Sequence, residues 1–301
     1  MKNVYELQDS NKRRSVVVIV VFIVFVLVVG WVFARLFDYG PGAIGIALIF
    51  AGLMSFASYW WGDKMILTLS AARPADRKRD FHFFTAAENL AMAAQIPMPK
   101  LYVIEDSAPN AFATGRDPEH AVVCATTGLL QKLDRSELEG VIAHEISHIK
   151  NYDTRLMSIV TILVGMITLL SDWFLRGGGF SRGRREKEGG NLGAILFLLG
   201  IILALLSPLV AKLMQLALSR RREFLADASA VMLTRYPEGL ARALEKIAAD
   251  KEPLEVANKA TAHLYIVNPL KNFHSGVGWF ANLFNTHPPA EERIRILREM
   301  G

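Results

Sequence analysis

Two histidines four residues apart stand in the segment His144-Glu145-Ile146-Ser147-His148. On a helix that spacing brings both imidazoles out of one face, which suits two nitrogen donors on one tetrahedral zinc ion. Glu145 adjoins the first histidine, where its carboxylate can take a proton from a metal-bound water. Zinc lowers the pKa of such a water to about 7. The bland alternative is an amphipathic helix carrying two solvated histidines. Leu138, Val141, Ile142 and Ile149 argue against it, because they supply an apolar face. The helix is therefore partly buried, and buried histidines need partners.

A catalytic zinc requires a third protein ligand and an open fourth position. The other histidines are His82, His120, His263, His274 and His287, and none has the short downstream spacing of a third histidine ligand. A carboxylate is the better candidate. In Arg222-Glu223-Phe224-Leu225-Ala226-Asp227 the two acids share a helix face. Glu223 can ligate zinc while Asp227 orients a ligand histidine. After Arg220 and Arg221 the same residues also read as an ordinary charged turn at a membrane edge, and the residues alone leave both readings open. Cys124 is the lone cysteine, which excludes an intrachain disulfide and a multi-cysteine metal site. On a strand it reads as a small buried hydrophobe.

The elements that must carry these residues are helices and apolar spans. Ser136-Glu137-Leu138-Glu139 reads as a capping box that starts the histidine-bearing helix. Val16–Ala34 is 19 residues without a charge and Pro41–Gly62 is 22. Each is long enough to cross the hydrocarbon layer, so they form a membrane hairpin. Leu156–Ser171 is a third apolar run of only 16 residues, and Leu192–Ala211 a fourth of 20. Lys12, Arg13 and Arg14 precede the first span; Lys64, Arg73, Arg77, Lys78 and Arg79 follow the second. This places both ends of the first hairpin in the cytoplasm. His144 and His148 precede the later two runs and Glu223 follows them, so an even number of crossings must separate them. The Gly-rich segment 176–190 is expected across the membrane from the site, although its basic residues pull the other way.

Composition agrees. Hydrophobic residues make up 52% of the 301 and charged residues 21%, more apolar than a soluble domain of this size. The net charge of +5 comes from basic residues flanking apolar blocks, which points to a membrane surface rather than to nucleic acid.

Four segments together resemble the HtpX family of membrane-bound zinc endopeptidases, which are of gluzincin type. They are Asn110-Ala-Phe-Ala-Thr-Gly115, Leu138–Asp153 around the two histidines, Arg222-Glu-Phe-Leu-Ala-Asp-Ala228 and Thr286-His-Pro-Pro289. The resemblance covers nearly the whole chain, including two apolar runs on either side of the zinc helix. It implies one zinc ion per chain held by His144, His148 and Glu223, with Glu145 as general base. It also implies cleavage of polypeptides, misfolded membrane proteins among them, in the bilayer of the cell membrane, with the site facing the cytoplasm. The expected architecture is a mainly α integral membrane protein. It has up to four transmembrane helices and a mostly helical, zincin-like protease domain containing a small β-sheet or hairpin. The expected divisions are a membrane hairpin over 1–75 (spans about 16–36 and 41–62), a first protease portion over 76–155, a second hydrophobic pair over 156–211 and a second protease portion over 212–301.

In that light two more segments gain meaning. Asn110–Gly115 and the strand-like His120–Ala125 form a hairpin, whose edge at Asn110, Ala111, Phe112 and Ala113 could hold an extended substrate by main-chain hydrogen bonds. His287 could hydrogen-bond the tetrahedral oxyanion, with Arg293 in the following helix as a support. The competing readings are a prenyl-protein CAAX endopeptidase, which uses the same zinc motifs, and a membrane scaffold with a structural zinc.

Overall fold

Val16 to Val29 is rich in β-branched residues, which disfavour helix in water. Within lipid, however, a helix is what satisfies every backbone polar group of such a run. The computed structural model describes residues 4–36, 42–163, 220–250, 252, 254, 264–266 and 288–301, and has helices where the first two runs fall. Helix α1 spans Val4–Leu36 and α2 spans Gly42–Leu69. The two pack against each other. Both leave large apolar side chains exposed, among them Val16, Val20, Val24, Ile49, Leu53 and Phe56. Among the described residues, one helix segment, Gly45–Leu69, is long and apolar enough by length and composition to cross a membrane. The later part of the third run, the segment 176–190, the fourth run, His263, His274 and His287 lie outside the described residues.

The rest is mostly helical with a small mixed sheet. Strands β1 (Arg73–Pro74), β2 (Lys100–Ile104), β3 (Ala111–Thr114) and β4 (Val122–Thr126) lie in the order β1-β2-β4-β3. The β2–β4 pair is parallel, and both outer pairs are antiparallel. Pro74 sits on an edge strand, where its missing donor costs nothing. β3 and β4 form the expected hairpin, turning through a short 3-10 helix at Pro118–His120.

Helices α3 (Phe81–Ala94), α4 (Thr127–Lys132) and α5 (Arg135–Lys150) follow the chain around this sheet. α5 is the central element, packed against β3, β4, α3 and two later helices, α7 (Arg220–Thr234) and α8 (Pro237–Ala249). Its Leu138, Val141, Ile142, Ile146 and Ile149 are all buried in the main core. Gly140 allows the closest approach: a Cβ there would meet the backbone nitrogen of Leu240 at 2.7 Å. Residues 153–163, labelled α6, continue as helix and wedge against the hairpin. Their Leu156, Ile159, Val160 and Leu163 cluster with Val18, Phe22 and Ala51. The last helix, α9 (Ala290–Glu299), packs on α8 and α7.

The start of α5 differs from the sequence expectation. The N-cap is Asp134 rather than Ser136, and the reciprocal acid is Glu137 rather than Glu139. Asp134 accepts from the Glu137 backbone at 2.9 Å, and Glu137 accepts from the Asp134 backbone at 2.8 Å. Two pairings of a cap residue with an acid three later overlap in this segment, and tertiary contact selects between them. Glu137 is buried and takes an ion pair from Lys246 of α8 at 2.6 Å.

Candidate metal centre and active site

His144 and His148 leave the same face of α5, as their spacing dictates, with their Nε2 atoms 3.1 Å apart. Glu223, in the first turn of α7, closes the triangle. Its Oε2 lies 3.6 Å from His144 Nε2 and its Oε1 3.6 Å from His148 Nε2. Among the described residues these three form the group of donors close enough to share a metal ion. Two donors at ordinary zinc bond lengths around a tetrahedral ion stand about 3.3–3.5 Å apart, so the observed spacings fit.

The opposite edge of each imidazole is engaged by a carboxylate. His144 Nδ1 faces Asp227 Oδ1 at 2.9 Å, and His148 Nδ1 faces Asp153 Oδ2 at 3.0 Å. Donation of both Nδ1–H groups to carboxylates assigns the tautomer and leaves both Nε2 lone pairs converging. Two lone pairs facing each other need a cation between them, a proton or a metal. The protonation energetics agree in direction. Burial and the Arg293 guanidinium push the His144 pKa down, but the hydrogen bond to Asp227 and the nearby Glu223 carboxylate outweigh them and hold it up at about 9. Burial likewise pushes His148 down, and the negative charge of Glu223 with the bond to Asp153 raises it on balance.

Asp227, one turn after Glu223, is in turn gripped by Arg293 of α9. Nη2 donates to Oδ1 at 2.7 Å and Nε to Oδ2 at 2.9 Å. Burial pushes the Asp227 carboxyl up, but Arg293 and His144 hold it down at about 2. Nη2 of Arg293 also comes within 3.3 Å of His144 Nδ1, and its Nη1 donates to the Ile266 carbonyl at 3.4 Å. From sequence, Arg293 was expected as a support for His287, which lies outside the described residues; it contacts Asp227 and the His144 ring.

Glu145 is buried between this cluster and the sheet. Its charge is felt by Arg293 on one side and by the Cys124 thiol of β4 on the other. Burial pushes that thiol well above its ordinary range, which fits Cys124 as a packed hydrophobe. β3 is the outer strand on the Glu145 side of the sheet. The Asn110–Thr126 bond and the register Phe112↔Cys124 leave the main-chain groups of Ala111 and Ala113 pointing away from β4. Both groups of Ala111 are already engaged; the Ile266 N–H donates to its carbonyl at 3.0 Å. The Asn110 side chain accepts from the Ala111 N–H at 3.1 Å. His82 and His120 are exposed, and His120 is bound to Asp117 at 2.6 Å.

Residues 78–301 match peptidase family M48. A Protease HtpX homolog of Dictyoglomus thermophilum is 46% identical over 297 residues, covering 99% of this chain and 95% of that protein. Another, of Caldanaerobacter subterraneus subsp. tengcongensis, is 44% identical over 301 residues, covering 99% and 98%. The chain belongs to the HtpX family, within peptidase family M48. A solved crystal structure of S. mikatae Ste24p is also similar, at a TM-score of 0.49 and 20% identity, covering 97% of this chain and 67% of that one. As an HtpX-family member the chain is a metalloprotease, and polypeptides are its substrates. Three contributors to the cluster escaped the sequence reading. Asp153 lies five residues after His148 and carried a signal in that spacing. Arg222 stands in the Arg222–Ala228 segment but had no role assigned, and Asn11, which like it reaches Asp153, carried no signal.

Proposed function

We propose that this HtpX-family protein is a membrane-embedded zinc endopeptidase in which His144, His148 and Glu223 hold one zinc ion and Glu145 is the general base. The observation that carries the reading is the pair of Nδ1–carboxylate contacts, which turn both Nε2 atoms toward Glu223. When bound, zinc supplies Lewis acidity toward the substrate carbonyl and the attacking water. Glu145 takes a proton from that water as its oxygen attacks the peptide carbonyl, then delivers it to the departing amide nitrogen. Asp227 and Asp153 keep the two imidazoles in the ligating tautomer. The outward main-chain groups of Ala113, beside Phe112 and next to the already engaged Ala111 and Asn110, pair with an extended substrate segment, which gives cleavage with little side-chain selectivity. His287 is assigned the developing oxyanion on sequence grounds.

The hairpin α1–α2 anchors the enzyme in the cell membrane with the site on the cytoplasmic side. Its exposed apolar faces support this, as does the aromatic group Tyr59, Trp60 and Trp61 near the cationic Arg116 and Arg155. The second hydrophobic pair within 156–211 completes up to four spans. Substrates delivered from the bilayer, such as misfolded membrane proteins in quality control, suit that placement.

Paired variants test the assignment, with zinc per protein measured beside peptidase rate. Glu145→Gln should keep zinc and lose about 10²–10⁴ in rate. Glu223→Gln should lose zinc itself, because a neutral amide oxygen replaces an anionic donor. A Glu223→Gln protein with full, tightly held zinc would overturn the choice of third ligand.

A further inference from the structure

Asn11 lies in the charged first turns of α1, between Asp9 and Lys12, yet it is 2% exposed. It lies five residues before the charge-free run that begins at Val16. Its Nδ2 donates to Asp153 Oδ1 at 2.8 Å and to the Asn151 carbonyl at 2.9 Å. Asn151 is the C-cap of α5, so one amide group engages both the end of the histidine helix and the carboxylate behind His148. Its Oδ1 accepts from Arg222 Nη1 at 3.0 Å, and the same Nη1 donates to Asp153 Oδ1 at 3.0 Å. Arg222 is the chain neighbour of Glu223. A single side chain of α1 therefore joins the two helices that carry the three metal-site donors.

The apolar packing holds α1 in register for this role. Val18 and Phe22, two and three turns beyond Asn11, are buried against Leu156 and Ile159 of α6. Arg222 depends on the contact as well. It is 7% exposed, and its Nε and Nη2 have no hydrogen-bond partner among the described residues. Without Asn11 its charge would rest on Asp153 alone, and Asp153 would be free to turn from His148 toward the guanidinium.

We propose that Asn11 is a positioning residue of the metal centre, acting through Asp153 on His148, so that the N-terminal membrane helix is a working part of the catalytic site as well as an anchor. The proposal rests on the reading of His148 as a metal ligand. Groups that orient ligand histidines typically change metal affinity or activity by about 10–100-fold. Asn11 stands one step further out, so the low end of that range is expected.

The test uses full-length protein in detergent, with the zinc dissociation constant measured by competition with a fluorescent chelator, beside kcat and KM. Asn11→Ala removes the amide. Asn11→Asp keeps its size but cannot donate to Asp153, and serves if Asn11→Ala folds poorly. Both should weaken zinc binding about tenfold and lower kcat with KM little changed. Ser15→Ala, one turn along the same buried face, should leave all three values alone. In an Asp153→Asn background the Asn11 effect should vanish, because the relay is already cut. Unchanged zinc affinity in both Asn11 variants would overturn the proposal, and so would an Asn11 effect of full size in the Asp153→Asn background. Glu223→Gln in the same assay separates the two levels. If it binds zinc as wild type does, the metal-site reading itself fails. If it is impaired while the Asn11 variants are not, the positioning role alone fails.

Discussion

Arg293→Met removes one half of a buried ion pair while keeping an apolar stem of similar reach. Arg293 and Asp227 are each 1% exposed and meet through two parallel bonds of 2.7 and 2.9 Å. Removing one partner of such a pair strands a buried charge and costs about 3–5 kcal/mol. The exposed Arg298–Glu238 pair on the same helix is worth about 0–1 kcal/mol by comparison. At about 2–4 °C per kcal/mol, the zinc-loaded Arg293→Met protein should melt roughly 6–20 °C below wild type. A second effect follows from the same geometry. Arg293 pushes the His144 pKa down, so its loss leaves that imidazole harder to deprotonate and zinc occupancy lower on the acid side of neutrality. Adding Asp227→Leu removes the stranded charge. The double variant should regain melting temperature but not peptidase activity, because His144 loses its Nδ1 acceptor. Melting curves in detergent, with zinc content determined on the same samples, provide the assay. An Arg293→Met protein melting within about 2 °C of wild type would place the pair in the energetic class of exposed ones and refute the reasoning.

Three further outcomes are expected. His144 has its pKa raised from 6.5 to about 9, so in chelated protein its contribution to stability is complete below pH 6.5 and is lost as pH rises through 9. Zinc uptake must expel that proton, so the melting-temperature gain on adding zinc should grow across the same window; a gain that stays constant from pH 6.5 to 9 would contradict the assignment. On the acid side, Asp227 is lowered from 3.8 to about 2, so its contribution is present above pH 3.8 and lost as pH falls through 2. Ala113→Pro removes an outward main-chain donor without touching the β3–β4 ladder. It should lower kcat/KM about 3–10-fold, the worth of one hydrogen bond, and normal cleavage by the folded, zinc-loaded variant would count against β3 as the substrate edge.

The features legible in the chain alone are local and periodic. Four residues is about one helical turn, so His144 with His148, and Glu223 with Asp227, share faces whatever the rest of the chain does. The apolar runs that become α1 and α2 are legible because spanning length is a linear property. The β3–β4 hairpin was legible for the same reason: its two strands are adjacent in the chain. Tertiary structure alone decided which distant side chains complete the cluster. Arg293 reaches Asp227 across 66 residues, Asn11 reaches Asp153 across 142, and Arg222 reaches Asn11 across 211. No periodicity links such positions; packing of α1, α7 and α9 around α5 does. The same holds at the start of α5, where two capping pairs were locally possible and Lys246 of α8, by engaging Glu137, selected one. It holds too at β3, where the segment at Ile266 takes the Ala111 carbonyl. Ligand spacing is written in helix geometry, whereas the groups that orient the ligands are chosen by whichever elements the core brings alongside, because a buried charge must find its partner wherever the fold has placed one.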